Sequence, residues 1–159
     1  MPQSITIIGE GSMATVCALL LESRGHQVTL WGAFPDHVAE IIQTRQNRRY
    51  LPGYRIPESI RLTSDDREAL ASADLIVSAI PTQFIRSAWQ RLAPHAPRGT
   101  PIASVAKGIE NTTLLRPTQI IADVLLQAGK SDHPDAPARP LAAISGPSVA
   151  GELARCLPA

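Results

Sequence analysis

The sequence has almost no net charge, and this excludes partners that need a strong field. The 159 residues include 15 Lys and Arg against 14 Asp and Glu, so the formal net charge at pH 7 is +1. Nucleic-acid-binding domains normally carry a concentrated basic surface. The most basic stretch here, residues 45–49, is explained by an ordinary solvated surface. We therefore expect no nucleic-acid partner.

Long apolar runs, a secretion signal and metal-ligand spacing are also missing. No run is long enough to cross a bilayer, and the first residues lead straight into a predicted strand instead of a signal peptide. The four histidines show no metal-ligand spacing. The only cysteines are Cys17 and Cys156. Cys17 is expected to be a small buried apolar residue of the first helix, and the reducing cytoplasm is the expected location.

The chain does have a glycine-rich turn between a strand and a helix at its start. Residues 4–8 predict a strand, and residues 9–14, GEGSMA, match the Gly-x-Gly-x-x-Gly/Ala pattern of a dinucleotide-binding unit. Gly9 permits the tight turn, Gly11 lets a pyrophosphate approach the backbone, and Ala14 lets the helix pack close to the sheet. The helix start then offers N–H groups to the anion. An ordinary glycine-rich turn is the alternative.

Strands and helices alternate along the rest of the chain. Further strands are predicted at residues 27–31, 59–62, 74–80, 101–105 and 141–145, and helices at 14–24, 36–45, from 64, 82–92, 117–128 and from 146. Thr82 can cap the helix that runs to Leu92. The near-continuous apolar run at 74–80 is typical of a strand covered on both faces, which favours a parallel sheet. Residues 131–140 contain three prolines and predict a mobile surface loop. The alternation predicts an α/β fold, a doubly wound, mainly parallel, Rossmann-like sheet, as one dinucleotide-binding domain over residues 1–159.

The residues that follow the second predicted strand do not indicate whether the cofactor is NAD or NADP. An acidic residue there would bind the ribose 2′-hydroxyl of NAD, and an arginine would accept the 2′-phosphate of NADP. The chain has Gly32, Ala33 and Phe34 instead, and Asp36 can equally cap the next helix. Phe34 can flank the adenine or fill a buried loop position. Either NAD or NADP is therefore expected as cofactor.

Four segments fall at the carboxyl ends of predicted strands, where such sheets bind ligands. They are residues 9–14, 81–84, 107–108 and 146–150. Lys107 can hold a phosphate or an oxygen as a point charge, although a surface lysine beside a turn glycine is the simpler interpretation. Phe84 on an apolar helical face is more often part of a core. Residues 146–148 start a helix whose amides can bind an anion.

Four motifs resemble the NAD(P)-dependent glycerol-3-phosphate dehydrogenase family in order and spacing. They are Tyr50-Leu51-Pro52-Gly53 with Asn47 before it, Ile80-Pro81-Thr82-Gln83-Phe84, Ser104-Val105-Ala106-Lys107-Gly108-Ile109-Glu110, and Ser145-Gly146-Pro147-Ser148-Val149-Ala150 with Glu152 after it. The family reduces dihydroxyacetone phosphate to sn-glycerol 3-phosphate with NADH or NADPH and so supplies a phospholipid precursor. The resemblance implies this reaction and these partners.

The resemblance also implies roles at matched positions. Lys107 matches a lysine that touches both cofactor and substrate, and Gly146 and Ser148 match substrate contacts. The family commonly has an aromatic residue at the position of Met13 and glycine at that of Ala14, so these two residues depart from its pattern. With the turn residues included, the implied cofactor-binding set is Gly9, Gly11, Ser12, Met13, Ala14, Phe84, Lys107 and Ala150.

Length is the main departure from the family. The family continues into a helical second domain, which carries the lysine that protonates the carbonyl and an Arg-Asn region that holds the phosphate. Reduction of a carbonyl needs an acid in place, and Lys107 alone is a poor candidate. We therefore expect a cofactor-binding half with no catalytic residue of its own and with little or no activity. The main proton donor is expected beyond Ala159.

Two other functions stay open at this point. A related hydroxyacid or ketoacid reductase can share the same first domain, and a non-catalytic module that binds or senses NAD(H) needs no second half. Val149, Leu153 and Leu157 are expected to form an exposed apolar edge. This edge predicts self-association, so a homo-oligomer is also open.

Overall fold

Strands and helices alternate as the sequence predicts. The structure, a computed structural model, describes residues 1–130, 139–146 and 148–155. The strands are β1 (Ser4–Ile8), β2 (Gln27–Trp31), β3 (Arg61–Thr63), β4 (Leu75–Ser78), β5 (Ile102–Ser104) and β6 (Leu141–Ala143). The helices are α1 (Ser12–Ser23), α2 (Pro35–Thr44), α3 (Asp66–Leu70), α4 (Thr82–Leu92), α5 (Pro117–Gln127) and α6 (Ala150–Leu153), with a short 3₁₀ turn at Ala93–His95.

The six strands form one sheet in the order β3-β2-β1-β4-β5-β6. Every strand pair is parallel, so the sheet predicted as mainly parallel is wholly parallel in the described ranges. The chain proceeds from β1 outward to β3, then returns to place β4 on the other side of β1. The predicted doubly wound, Rossmann-like fold is confirmed. Ligands of such sheets bind at the carboxyl ends of the strands beside this switch in order, which here means β1 and β4.

Two apolar cores cover the two faces of the sheet. Alternating residues of β1 point to opposite faces, so Ile8 joins one core and Ile7 the other. The first core contains both tryptophans, Trp31 and Trp89, and the second contains the inner face of α1. Burying each large aliphatic side chain stabilises the fold by about 1.5–3 kcal/mol. Cys17 is only partly buried against the second core, where desolvation raises the pKa of its thiol.

Two helix starts differ from the predictions, because neither candidate residue is the N-cap of its helix. Asp36 does not cap α2, which begins one residue earlier at Pro35 and has Phe34 as its N-cap. Asp36 instead lies in the first turn, where its charge suits the helix dipole. Thr82 does not cap α4 either; it is already helical, and its hydroxyl donates to the carbonyl oxygen of Lys107 at 2.7 Å.

The last helix begins later than predicted. Ile144 still donates its amide to the Ser104 carbonyl oxygen at 2.8 Å, so the chain follows the sheet past β6. Helical bonds begin only with Leu153 N to Val149 O, and α6 starts at Ala150 instead of residue 146. Within the predicted apolar edge, Val149 is exposed and Leu153 half-buried, whereas Leu157 lies outside the described residues.

Of the predicted mobile loop, residues 131–140, the structure describes only the last two residues. Residues 131–138 lie outside the described residues, and their mobility stays a prediction. Pro140 accepts the amide of Ile102 at 2.9 Å. Arg139 is buried and donates to the carbonyl oxygens of Pro97 and Thr100 at 2.8 and 3.2 Å. Residues 139–140 are therefore fixed to the sheet.

Candidate functional site

Gly9 makes the first turn possible because its backbone leaves no room for a side chain. It has φ +130°, and a Cβ at this position would lie 2.7 Å from the carbonyl oxygen of Ala79. The Gly9 amide donates to the Trp31 carbonyl oxygen at 2.9 Å, and the Ala79 amide donates to that of Ile8 at 2.8 Å. The ends of β1, β2 and β4 are thus joined at Gly9, as the sequence predicts for a tight turn.

Gly11 differs, since nothing in the described protein requires it to be glycine. Its φ of −78° and ψ of −177° are extended backbone, and a Cβ here would meet no atom within 4 Å. Gly11 is the N-cap of α1, which has no side-chain cap, and the first helical bond runs from Thr15 N to Gly11 O. The amides of residues 12–14 precede that bond and are free to bind an anion. This cradle fits the pyrophosphate of a dinucleotide.

Two adjoining clefts cross this turn and share Gly11, Ser12 and residues 79–81. The smaller, about 270 Å³, continues to Met13 and Lys107. The larger, about 790 Å³, continues to β2 and α4. Its further lining residues are Gly9, Glu10, Trp31, Ala33, Phe34, Arg49, Tyr50, Phe84, Ser87, Ala88 and Arg91. The two join into one continuous groove, which is called the cleft from here on. The glycine turn at residues 9–14 lies at its middle.

Of the substrate residues implied by the resemblance, Lys107 lines the smaller part of the cleft, whereas Gly146 and Ser148 line neither part. Lys107 is exposed, and its Nζ donates to Oγ of Ser148 at 3.0 Å. Gly146 is exposed just after β6, and Pro147 lies outside the described residues. Ala150 begins α6 and lines neither part of the cleft. The structure thus brings Lys107 and Ser148 into hydrogen-bonding contact. A cofactor contact by Ala150 stays a prediction.

The main proton donor was expected beyond Ala159, and the structure does not reach that point. Ala159 lies outside the described residues, which end at Arg155. A donor beyond Ala159 therefore stays a prediction. In the described part of the cleft, Lys107 is the one lysine among the lining residues.

The loop that carries Lys107 is clamped to the start of α4. Besides the bond from Thr82 to the Lys107 carbonyl, Gln83 donates through Nε2 to Ile109 O at 2.8 Å. Its Oε1 accepts the amide of Asn111 at 3.1 Å. Gly108, with φ +106°, lets the chain reverse between these bonds. Lys107 therefore stands on a backbone with little freedom to move.

An ion-pair network holds the far side of the same loop. Arg86 of α4 donates from Nε and Nη2 to the two carboxylate oxygens of Glu110 at 3.0 and 2.9 Å, and from Nη1 to Asp123 at 2.6 Å. Thr113 also donates to Glu110. The hydrogen bonds from Arg86 and Thr113 lower the pKa of Glu110 below its ordinary value of 4.5. This network positions the Lys107 loop and does not itself reach the cleft.

The lowered pKa of Glu110 predicts a pH-dependent contribution to stability. A carboxylate with a depressed pKa in the fold stabilises it above its unfolded pKa, and the contribution disappears as pH falls through the folded value. The stability lost in Glu110→Gln, relative to the unchanged chain, should therefore be largest at neutral pH and shrink below about pH 4.5. Urea denaturation at pH 7 and at successively lower pH measures this. An equal loss at every pH would contradict it, and Glu40→Gln, an exposed carboxylate on α2, is the matched control.

The large end of the cleft is aromatic and basic. Phe34 is 65% exposed, which excludes the buried loop position and leaves it free to flank a ligand. Arg91 lies over the Trp31 ring at 5.1 Å and pairs with Asp66, whereas Arg49 lies over the Tyr50 ring at 5.2 Å. Such surfaces suit a flat base with phosphate nearby.

Phe84, which the resemblance places beside the nicotinamide half, is exposed and lines the larger part of the cleft. It does not line the smaller part that contains Lys107. Its role as a nicotinamide contact stays a prediction. The apolar face of α4 is formed instead by buried Ile85, Trp89 and Leu92.

Sequence reasoning gave Asn47 no role, although it supports the turn directly. Its buried Nδ2 donates to the Glu10 carbonyl oxygen at 2.8 Å and to Thr15 Oγ1 at 2.9 Å. Its Oδ1 accepts the Tyr50 amide at 3.2 Å. Asn47 thus links the glycine turn to the Tyr50 loop. Its position just before the Tyr50 motif was the only available signal.

Other kinds of site find no support in the described parts of the chain. There, no group of three or more His, Cys, Asp and Glu side chains is arranged to hold a metal ion. None of the helices described has both the length and the apolar character needed to cross a bilayer.

Comparison with known families settles where the chain belongs. The family model described as the NAD-dependent glycerol-3-phosphate dehydrogenase N-terminus matches residues 4–159. This chain belongs to that family. The resemblance drawn from the four motifs is therefore confirmed.

Similar proteins cover nearly the whole chain. Glycerol-3-phosphate dehydrogenase [NAD(P)+] of Syntrophomonas wolfei is 39% identical over 154 residues, which are 97% of this chain and 43% of that protein. The crystal structure of the glycerol-3-phosphate dehydrogenase of Coxiella burnetii superposes with a TM-score of 0.85 at 32% identity, over 99% of this chain and 45% of that one. The Saccharomyces cerevisiae enzyme, 24% identical with a TM-score of 0.77, shares the fold. The chain spans less than half the length of these glycerol-3-phosphate dehydrogenases.

Proposed function

We propose that residues 1–159 are the dinucleotide-binding domain of a glycerol-3-phosphate dehydrogenase that reduces dihydroxyacetone phosphate with NADH or NADPH. The observation that carries this proposal is Gly11, a glycine that the fold does not need, in the middle of a cleft with aromatic residues at one end and Lys107 at the other. A bound dinucleotide needs that bare backbone for its pyrophosphate. Family membership supports the same function.

Different residues along the cleft bind different parts of the dinucleotide. The amides of residues 12–14 and the N-terminal end of α1 hold the pyrophosphate, since both attract an anion. Phe34 and Tyr50 flank the adenosine at the large end. When bound, the nicotinamide ring supplies the hydride that reduces the carbonyl. The clamped loop keeps Lys107 beside that ring's position.

Lys107 and Ser148 would receive the substrate. The ammonium of Lys107 is a strong donor and a point charge for a phosphate or a developing oxyanion. Its hydrogen bond to Ser148 places a hydroxyl next to it, and that hydroxyl can donate to the same substrate.

The catalytic acid is proposed to lie beyond Ala159. The resemblance implies that a lysine of a helical second domain protonates the carbonyl, so the 159 residues alone should bind cofactor and turn over little substrate. The proposed setting is phospholipid-precursor synthesis in the cytoplasm.

Fluorescence titration of the purified chain with NADH tests the proposal. We expect saturable binding of one NADH, a change in affinity when dihydroxyacetone phosphate is added, and negligible NADH oxidation. Lys107→Met should abolish the response to the substrate. The matched control is Lys130→Met, because Lys130 follows the end of α5 and lines neither part of the cleft.

The outcomes separate the alternatives. Absence of NADH and NADPH binding would overturn the proposal. Binding without any response to dihydroxyacetone phosphate would favour a sensing module, and a response to a different ketoacid would favour a related reductase. Rapid turnover by the chain would contradict the assignment of the acid to a second domain.

A further inference from the structure

One buried acid at the large end of the cleft has no part in the proposed function. Glu10, between the two glycines of the turn, is only 7% exposed, yet it lines the cleft. Its Oε1 accepts the amide of Phe34 at 3.2 Å. The carboxylate thus reaches from the end of β1 to the loop after β2, which is the ribose end of a dinucleotide site.

Gly32 makes room for this carboxylate. Gly32 directly follows β2, and a Cβ there would overlap both the Glu10 carboxylate and Cγ2 of Val38. In many dinucleotide-binding domains an acidic residue at this strand end binds the ribose hydroxyl. Here the strand end has a glycine, and the space beside it contains an acid supplied by the preceding turn.

The charge of Glu10 is poorly compensated. Its Oε2 is buried without a hydrogen bond in the described part of the chain, and the nearest imidazole nitrogen, Nδ1 of His37, is 3.5 Å away. Burial raises the pKa of Glu10, and His37 and the backbone amides of Phe34 and Ala33 oppose that rise only in part. His37 is itself buried and contacts the Tyr50 ring edge-on.

The cations of the cleft compensate Glu10 only in part. Arg91 is engaged by Asp66 at 2.6 Å. Arg49 is exposed at the Tyr50 ring, where solvent and salt screen its charge. A buried carboxylate is screened much less. The field at the ribose end should therefore be dominated by Glu10.

We propose that Glu10 is a specificity-determining residue that favours NAD(H) over NADP(H). The 2′-phosphate of NADP(H) would bring further negative charge next to a carboxylate that solvent screens only weakly, whereas the 2′-hydroxyl of NAD(H) is neutral and can donate a hydrogen bond. This inference rests on the proposed function, because it concerns the same dinucleotide site.

Dissociation constants for NADH and NADPH, measured at pH 8, test the proposal. We expect the unchanged chain to bind NADH at least about tenfold more tightly than NADPH. Glu10→Gln keeps the shape and the acceptor for the Phe34 amide, and should reduce that ratio about tenfold, mainly by tighter NADPH binding. If the glutamine variant does not fold, Glu10→Met replaces it, because methionine fills the same space without charge. It should reduce the ratio by a similar factor. Glu40→Gln, which removes an exposed carboxylate from α2, should leave the ratio unchanged.

Several results would overturn the proposal. If the unchanged chain binds NADPH as tightly as NADH or more tightly, the proposal is wrong, and no variant is needed to show it. An unchanged ratio in a folded Glu10 variant, with folding checked by circular dichroism, would also overturn the proposal. Failure to bind either dinucleotide would instead refute the proposed function, so the two failures are distinguishable.

Discussion

Gly9→Ala should lower the free energy of unfolding by about 3 kcal/mol or more, since it combines a backbone penalty with overpacking. The φ of +130° disfavours any side chain, and the new Cβ would lie 2.7 Å from a carbonyl oxygen of the neighbouring strand. That oxygen belongs to Ala79, whose amide is bonded to β1, so it cannot move away without breaking the sheet. Urea denaturation followed by circular dichroism measures the loss.

Gly25→Ala is the matched control for this prediction. Gly25 also has a positive φ, +85°, but a Cβ there would meet nothing within 4 Å. It should cost only the left-handed backbone penalty, about 1–2 kcal/mol. Equal losses in the two variants would show that crowding at Gly9 does not constrain the turn.

Gly11→Asp, unlike Gly9→Ala, should leave the fold intact and abolish cofactor binding. The fold has open space at this position, and aspartate is a good N-cap that accepts first-turn amides. The variant should be as stable as the unchanged chain or more stable. Its carboxylate would occupy and repel the pyrophosphate site, so NADH affinity should fall about 100-fold or more. Calorimetric titration and thermal denaturation of the same sample measure both effects.

Gly11→Asn separates size from charge in this experiment. Asparagine caps the helix comparably and has the same shape, so the difference between the two variants reports the charge alone. Undiminished NADH binding by Gly11→Asp would show that the turn does not hold the phosphates, whatever the stability of the variant.

Local patterns in the sequence were sufficient for most of the fold. β1 and β2 have the predicted bounds because each is a short run of β-branched and apolar residues between clear breaks. The near-continuous apolar run at β4 predicted a strand covered on both faces, and the structure buries it between two cores. The glycine pattern lies between a strand and a helix as predicted, and the cleft crosses it.

The errors arose where a residue has a partner distant in sequence. Thr82 matches a local capping pattern, yet its hydroxyl bonds to the carbonyl of Lys107, 25 residues later. Gly32 offered no hint of an acid at the ribose end, because the acid is Glu10 from another strand end. No periodicity or capping pattern records such pairings, so they required the three-dimensional structure.

A crystal structure of this chain with bound NADH would test the central claim most directly. We expect the pyrophosphate oxygens within hydrogen-bonding distance of the amides of residues 12–14. The adenosine should lie between Phe34 and Tyr50, and the nicotinamide ring in the smaller part of the cleft beside Lys107. A dinucleotide bound elsewhere, or one whose phosphates do not contact the turn, would contradict the account.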